Sequence, residues 1–182
     1  MLSQQSRSVL PLIGALFTLY IVWGSTYFVI RLGVAQWPPL MMAGIRFLIA
    51  GIVLFSFLAW RGHALPTPKQ WLAAGAIGIL LLAVGNGLVT VAEHQHVPSG
   101  IAAVMVATVP LFTLCFSLLW GMRNTKLEWA GIALGLVGIV LLNTGNNLVG
   151  NPTGALLILL ASASWAFGSV LGSRISLPAG PM

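Results

Sequence analysis

The fixed charge in this 182-residue chain is two acidic and eight basic side chains, so any charge inside an apolar run is a candidate for chemistry. The densest polar stretch is Ala92-Glu93-His94-Gln95-His96-Val97-Pro98-Ser99-Gly100, which holds one of the two acids and two of the three histidines. Three readings fit it: a metal site, a proton or ion-pair site, or a polar joint between helices. If the preceding helix runs through the motif, Glu93 and His96 share a face while His94 and His96 point apart. Zinc wants three or four ligands. The chain has no aspartate and no second cluster beside this one, so we expect neither a metal nor a cofactor. Glu93 could instead pair with Arg46, or exchange a proton as carboxylates in pumps do. The plainest reading is a hydrated joint, with Pro98 starting the next helix.

Arg46 lies about two turns into an apolar run that begins at Pro39, roughly 11 Å at the helical rise. Charge at that depth is costly and faces a cavity or a partner rather than lipid. It could draw a carboxylate-bearing substrate into a bundle; the alternative is a side chain that snorkels outward. Trp23-Gly24-Ser25-Thr26 sets an indole beside a glycine and two hydroxyls, a mixture suited to lining a pathway. The alternative is local: such hydroxyls often bond back to their own helix carbonyls, and small residues mark helix contacts. Asn86, between Gly85 and Gly87, carries an amide that must find a partner helix or a wet cavity. Trp165 and Ser169 occupy places comparable to the Trp23 cluster further along. Paired aspartates, a serine with a plausible base and a zinc-protease helix motif are all missing, so we expect no catalytic residue and no enzyme.

The elements that position these groups follow from composition. Hydrophobic residues make up 58% and charged residues 5%, with mean hydropathy +1.00, against about a quarter charged in an ordinary soluble domain. That implies an all-α, polytopic membrane bundle whose first partner is the lipid bilayer. Lone Cys115 reads as a packing residue. The net charge of +6 comes from basic residues spread singly, a pattern of membrane orientation and not of nucleic-acid recognition. About 20 apolar residues span a bilayer as a helix, and six such runs appear: Val9 to Ile30, Pro39 to Trp60, Trp71 to Ala92, Pro98 to Trp120, Leu127 to Thr144 and Thr153 to Ile175. Short joints rich in Pro, Gly and Asn make the helices antiparallel neighbours. Pro110 should bend the fourth span. Gly131, Gly135 and Gly138 offer the fifth a face for close helix approach.

With the N-terminus in the cytoplasm, Arg7, Arg61, Lys69, Arg123, Lys126 and Arg174 all fall inside and only Arg31 lies in an outer loop, which is the orientation we expect. The first and sixth spans both open Gly-Ala-Leu, continue to a tryptophan among small residues and end near an arginine. Five spans separate the two starts, so the second copy enters from the opposite side, as in the inverted repeats of secondary transporters.

The segments "YIVWGSTYFVIRLGV", "GIRFLIAGIVL", "GNGLVTVAEHQHVPSGIAAVMVATVPLFTLCFSLLWG" and "LEWAGIALGLVGIVLL" resemble the EamA-type branch of the drug/metabolite transporter superfamily. The resemblance covers essentially the whole chain. It implies two inverted five-helix repeats around a central cavity, ten helices in all, and export of amino acids, other metabolites or drugs by alternating access, in a bacterial inner membrane. On that plan residues 1–150 form the first repeat and 151–182 the first helix of the second. Met122 stands after Gly121, where the family often has an acid. We therefore expect a shortened transporter chain with a small-molecule substrate, which would work as a homodimer if it works alone. The alternative is an inactive client of ribosome, translocon or insertase. The substrate-pathway candidates are Trp23, Ser25, Thr26, Arg46, Asn86 and Trp165, with Glu93 and Arg46 as a possible ion pair or proton-coupling site.

Overall fold

The computed structural model describes residues 9–122, 124–143 and 151–175. Six helices follow one another: α1 (Val9–Val34), α2 (Pro39–Trp60), α3 (Pro68–His94), α4 (Ser99–Leu119), α5 (Lys126–Asn143) and α6 (Pro152–Gly172). The described residues form an all-helical bundle without strands, as composition implies. Among the described residues, α1, α2, α3, α4 and α6 are long and apolar enough to cross a membrane. The fifth expected span, Leu127 to Thr144, corresponds to α5. The expected end of that span at Thr144 lies outside the described residues.

Local chemistry sets the helix ends. Proline occupies the first turn of α2, α3 and α6, where a missing N–H costs nothing. Thr67 and Gln70 form a capping box that starts α3. Thr125 and Glu128 do the same for α5: the Glu128 carboxylate accepts from the Thr125 backbone N–H, and the Glu128 N–H donates to the Thr125 hydroxyl at 3.3 Å. Asn151 caps α6 by accepting from the Gly154 N–H at 2.8 Å. The C-terminal ends of α2, α3 and α4 share one device, a left-handed residue that lets two N–H groups turn back onto the last carbonyls. Gly62 (φ 79°) and Gly121 (φ 71°) serve α2 and α4, and His96 (φ 68°) serves α3.

Two helices depart from regular winding. From Ile79 to Asn86, α3 is wound wide, in π-helical form, a feature often found at functional sites. In α4 the helix breaks at Ala107–Thr108, with Thr108 N–H reaching back to Met105 O at 3.1 Å, and resumes at Val109. Pro110 explains the break, because it offers no N–H to the Val106 carbonyl and its ring collides with it. The expected bend is therefore present.

Helix α6 is the centre of the packing, lying against α3 and both halves of α4, while α1 packs on α3 and α4 and α2 packs on α3. The close approaches that seat it are made by glycines on α6 and α3. A Cβ on Gly168 would overlap Leu81, and one on Gly85 would come 3.0 Å from the Trp165 ring. Ser164 ties the pair by donating to Leu80 O at 2.8 Å within the wide turn. Among the described residues the expected contact face on α5 is open: a Cβ on Gly131, Gly135 or Gly138 would meet nothing within 4 Å. Small residues permit close approach; they do not compel it, and α5 leans on α4 from further away. The outward faces carry a belt of exposed large apolar residues such as Phe17, Leu48, Ile52 and Leu134, which is what a lipid-facing surface requires.

Candidate functional site

A cavity of about 670 Å³ lies among α1, α2, α3, α4 and α6, level with the wide turn of α3 and the break in α4. Its polar groups are few. Arg46 enters from α2 and donates from Nη2 to Asn86 Oδ1 at 2.7 Å. The wide turn matters here because Asn86 is its last residue, and Gly85 and Gly87 beside it are buried against the neighbouring helices. The Arg46 guanidinium also sits 4.6 Å from the centre of the Phe47 ring. Its Nε has no hydrogen-bond partner among the described residues, and neither has the Ser162 hydroxyl, which is 1% exposed. Tyr27 and Thr26 of α1 complete the polar lining. Trp23 and Trp165 meet edge to face across the cavity wall, ring centres 6.1 Å apart, a geometry that suits the aromatic quadrupole.

Of the residues singled out from sequence, Trp23, Thr26, Arg46, Asn86 and Trp165 all line this one cavity. Ser25 does not: it is exposed, and its hydroxyl bonds back to Val22 O at 3.1 Å. Thr26 bonds back to the same carbonyl at 2.9 Å, so it presents its methyl-bearing side rather than a free hydroxyl proton. Ser169, the counterpart considered in the second copy, is exposed on α6 and absent from the lining. Sequence reasoning missed Tyr27 and Ser162. Their signal was helical spacing alone, four residues after Trp23 and three before Trp165, which puts each on its tryptophan's face.

The expected pairing of Arg46 with Glu93 is not made. Arg46 is engaged by Asn86, two helical turns nearer the middle of α3 than Glu93, roughly 10 Å along the axis. Glu93 is 3% exposed, and both its carboxylate oxygens lack a hydrogen-bond partner among the described residues. Arg31 on α1 is the cation that acts on it through space. The rest of the joint is structural. Here His96 N–H donates to Glu93 O at 3.1 Å and Val97 N–H to Ala92 O at 3.2 Å, ending α3. His94 Nδ1 lies 3.2 Å from Val34 O at the end of α1. Asn151 Nδ2 donates to Gln95 O at 2.6 Å, fastening the start of α6 to the joint. Gln95 and His94 thus form a clasp between helix ends, while His96 supplies the turn that ends α3.

A second space of about 690 Å³ separates α4 from α5, bordered by Ser117, Asn124, Glu128, Gly131 and Gly135. Its polar groups already serve helix ends: Asn124 donates to Leu114 O at 3.0 Å and accepts from Ser117 at 3.1 Å, while Glu128 completes the capping box.

The cavity can hold a small amphipathic molecule beside the paired indoles and anchor an acidic group on Arg46, since no acid is among its lining residues. Comparison with known proteins agrees in kind: the EamA-like transporter family matches residues 10–144. The chain belongs to the EamA-like transporter family. Within it, the chain is 71% identical over 176 residues to the uncharacterized inner membrane transporter YedA of Escherichia coli K12, covering 97% of this chain and 58% of the relative. It is 30% identical to the uncharacterized transporter YvbV of Bacillus subtilis 168, covering 86% of this chain and 53% of that one. A probable amino-acid metabolite efflux pump of Salmonella typhimurium LT2 is 28% identical, covering 85% and 51%. The chain spans about half the length of the curated relatives it matches. No solved structure matches this EamA-family chain.

Proposed function

We propose that this chain forms part of an inner-membrane transporter that exports small amphipathic metabolites, amino acids or drugs by alternating access, with its N-terminus in the cytoplasm. The observation that carries the reading is the cavity in the bundle, where a guanidinium fixed by Asn86 faces two indoles and an unpartnered hydroxyl. Its volume falls within the roughly 300–1,000 Å³ of typical ligand pockets. An apolar lining with a few convergent polar groups fits a molecule with one carboxylate and an apolar body. The meeting of Trp23 with Trp165 supports the inverted-repeat reading, because it joins the corresponding first helices of the two repeats near one axis.

The test is ligand binding by the chain in lipid nanodiscs, read by tryptophan fluorescence against a panel of amino acids, their methyl esters and amphipathic amines. Acids should bind and their esters should bind less, with the difference lost in Arg46→Met. Equal binding of acids and esters would remove Arg46 from the substrate site. Counterflow of the selected compound in proteoliposomes then asks whether binding leads to movement.

A further inference from the structure

Glu93 is one of the deepest side chains of the bundle, and nothing described satisfies either of its carboxylate oxygens. An ionised carboxylate taken out of water without a partner is among the costliest groups to bury. Its surroundings offer little relief. From α1 come Tyr27, packed on the cluster that contains Ala92, and Arg31, which is exposed. The one titratable group of α2 is Arg46, committed to Asn86. Cys115, towards the far end, is the one on α4, and α6 has none. On its own side of the joint, His94 faces the Val34 carbonyl and His96 is exposed.

The clasp is what keeps Glu93 dry. The His94–Val34 and Asn151–Gln95 contacts, with the cluster of Ala92, Val97, Ala102, Met105 and Ile158, close the bundle around this end of α3. Release of the clasp would admit water to the carboxylate.

We propose that Glu93 is a proton-binding site linked to closure of the 95–98 end: it takes a proton from water as that end closes and returns it to water as that end opens. One O–H bond forms on the carboxylate in closing and breaks in opening, with no other reactant. Tyr27 gives the site a connection to cargo, since it both lines the cavity and packs against the cluster that contains Ala92, next to Glu93. The use of the proton in a transport cycle rests on the transporter reading; its binding does not.

The test reads closure directly and uses no substrate. Spin labels on Gln36→Cys and Gly100→Cys, in a Cys115→Ala chain in nanodiscs, report the separation of the two joints between about pH 5 and about pH 9. Linkage to one proton predicts a single short distance at acid pH, and an open population that grows up to about tenfold per pH unit above it. Glu93→Gln should stay closed throughout. Opening that is independent of pH, or that persists unchanged in Glu93→Gln, overturns the proposal. A second measurement covers a variant that fails to fold. Glu128→Gln keeps its capping box, since Gln serves there as well as Glu, and leaves Glu93 as the single side-chain carboxyl. Its acid C=O infrared band should fade in step with the open population; a band that titrates out of step with opening overturns the proposal. A chain that opens with pH yet binds no cargo would instead sink the transporter reading.

Discussion

The bond between Arg46 and Asn86 makes opposite predictions for its two ends. At 2.7 Å it is a charge-assisted hydrogen bond within the bundle, and bonds of that kind contribute about 1.5–3 kcal/mol. Asn86→Ala removes the acceptor and leaves the guanidinium in place, with Nε already unpartnered. We expect that variant to lose about 2 kcal/mol, close to thirtyfold in the folding equilibrium. Arg46→Met removes the costlier group to leave unpaired and fills much the same space; the Asn86 amide it strands is neutral and lines the cavity, so the loss should be smaller, about 1 kcal/mol. Ligand binding should show the reverse order, with Arg46→Met losing about tenfold or more towards carboxylates. The assay is reversible unfolding in mixed micelles followed by circular dichroism, run as a double-mutant cycle. With the arginine gone, Asn86→Ala should cost much less than it does alone. Additive losses, or an Arg46→Met chain as unstable as Asn86→Ala, would show that the two side chains are not coupled and that the argument for an anchored guanidinium is wrong.

Gly168→Val should separate α3 from α6, because its side chain would overlap Leu81, and cost about 1–3 kcal/mol in the same unfolding assay. Gly135→Ala, with open space at its Cβ, should be neutral or gain up to ~1 kcal/mol from helix propensity. His96→Gly should stabilise the end of α3 by about 1 kcal/mol, since the left-handed backbone at φ 68° penalises a side chain that glycine lacks; destabilisation would reveal a role for the imidazole. For orientation, His63→Cys and Gly100→Cys in a Cys115→Ala background should react with an impermeant thiol reagent from opposite faces of inverted and right-side-out vesicles. Reaction from one face would overturn the assigned topology.

Apolar run length and breakers made the helices legible, because each span is written continuously in sequence and proline marks the start of α2, α3, α4 and α6. Arg46 and Asn86 could be recognised as candidates because a charge or an amide in hydrocarbon must be accounted for. Which acceptor Arg46 would choose was not legible. That choice depends on the wide winding of α3 from Ile79 to Asn86, and an unbroken apolar run with two glycines does not announce it. The partners of the glycines were not legible for a related reason: spacing shows where helices can approach, whereas Gly85 and Gly168 approach because Trp165, Leu80 and Leu81 are opposite them. At the joint, sequence left three roles open for His94 and His96. Backbone conformation decides between them, placing His96 at the left-handed stop and His94 beside the carbonyl that ends α1.

The cavity also shows why α6 matters to any function of this chain. The family match ends at residue 144, yet Ser162 and Trp165, both on α6, supply the unpartnered hydroxyl and one of the two indoles. Arg46 and Asn86, on the earlier helices, supply the charge and its anchor. A cargo seated against all four would touch helices on both sides of the proposed repeat boundary. Movement of one repeat against the other would then change those contacts together, and differential contact of that kind is the physical requirement for a bound molecule to bias a conformational equilibrium. Glu93 stands one step outside this arrangement, next to the cluster on which the cavity-lining Tyr27 packs and beside the clasp at the joint. On the two proposals, cargo and proton would act on the same helices from different positions, which is the minimum geometry for one to influence the other.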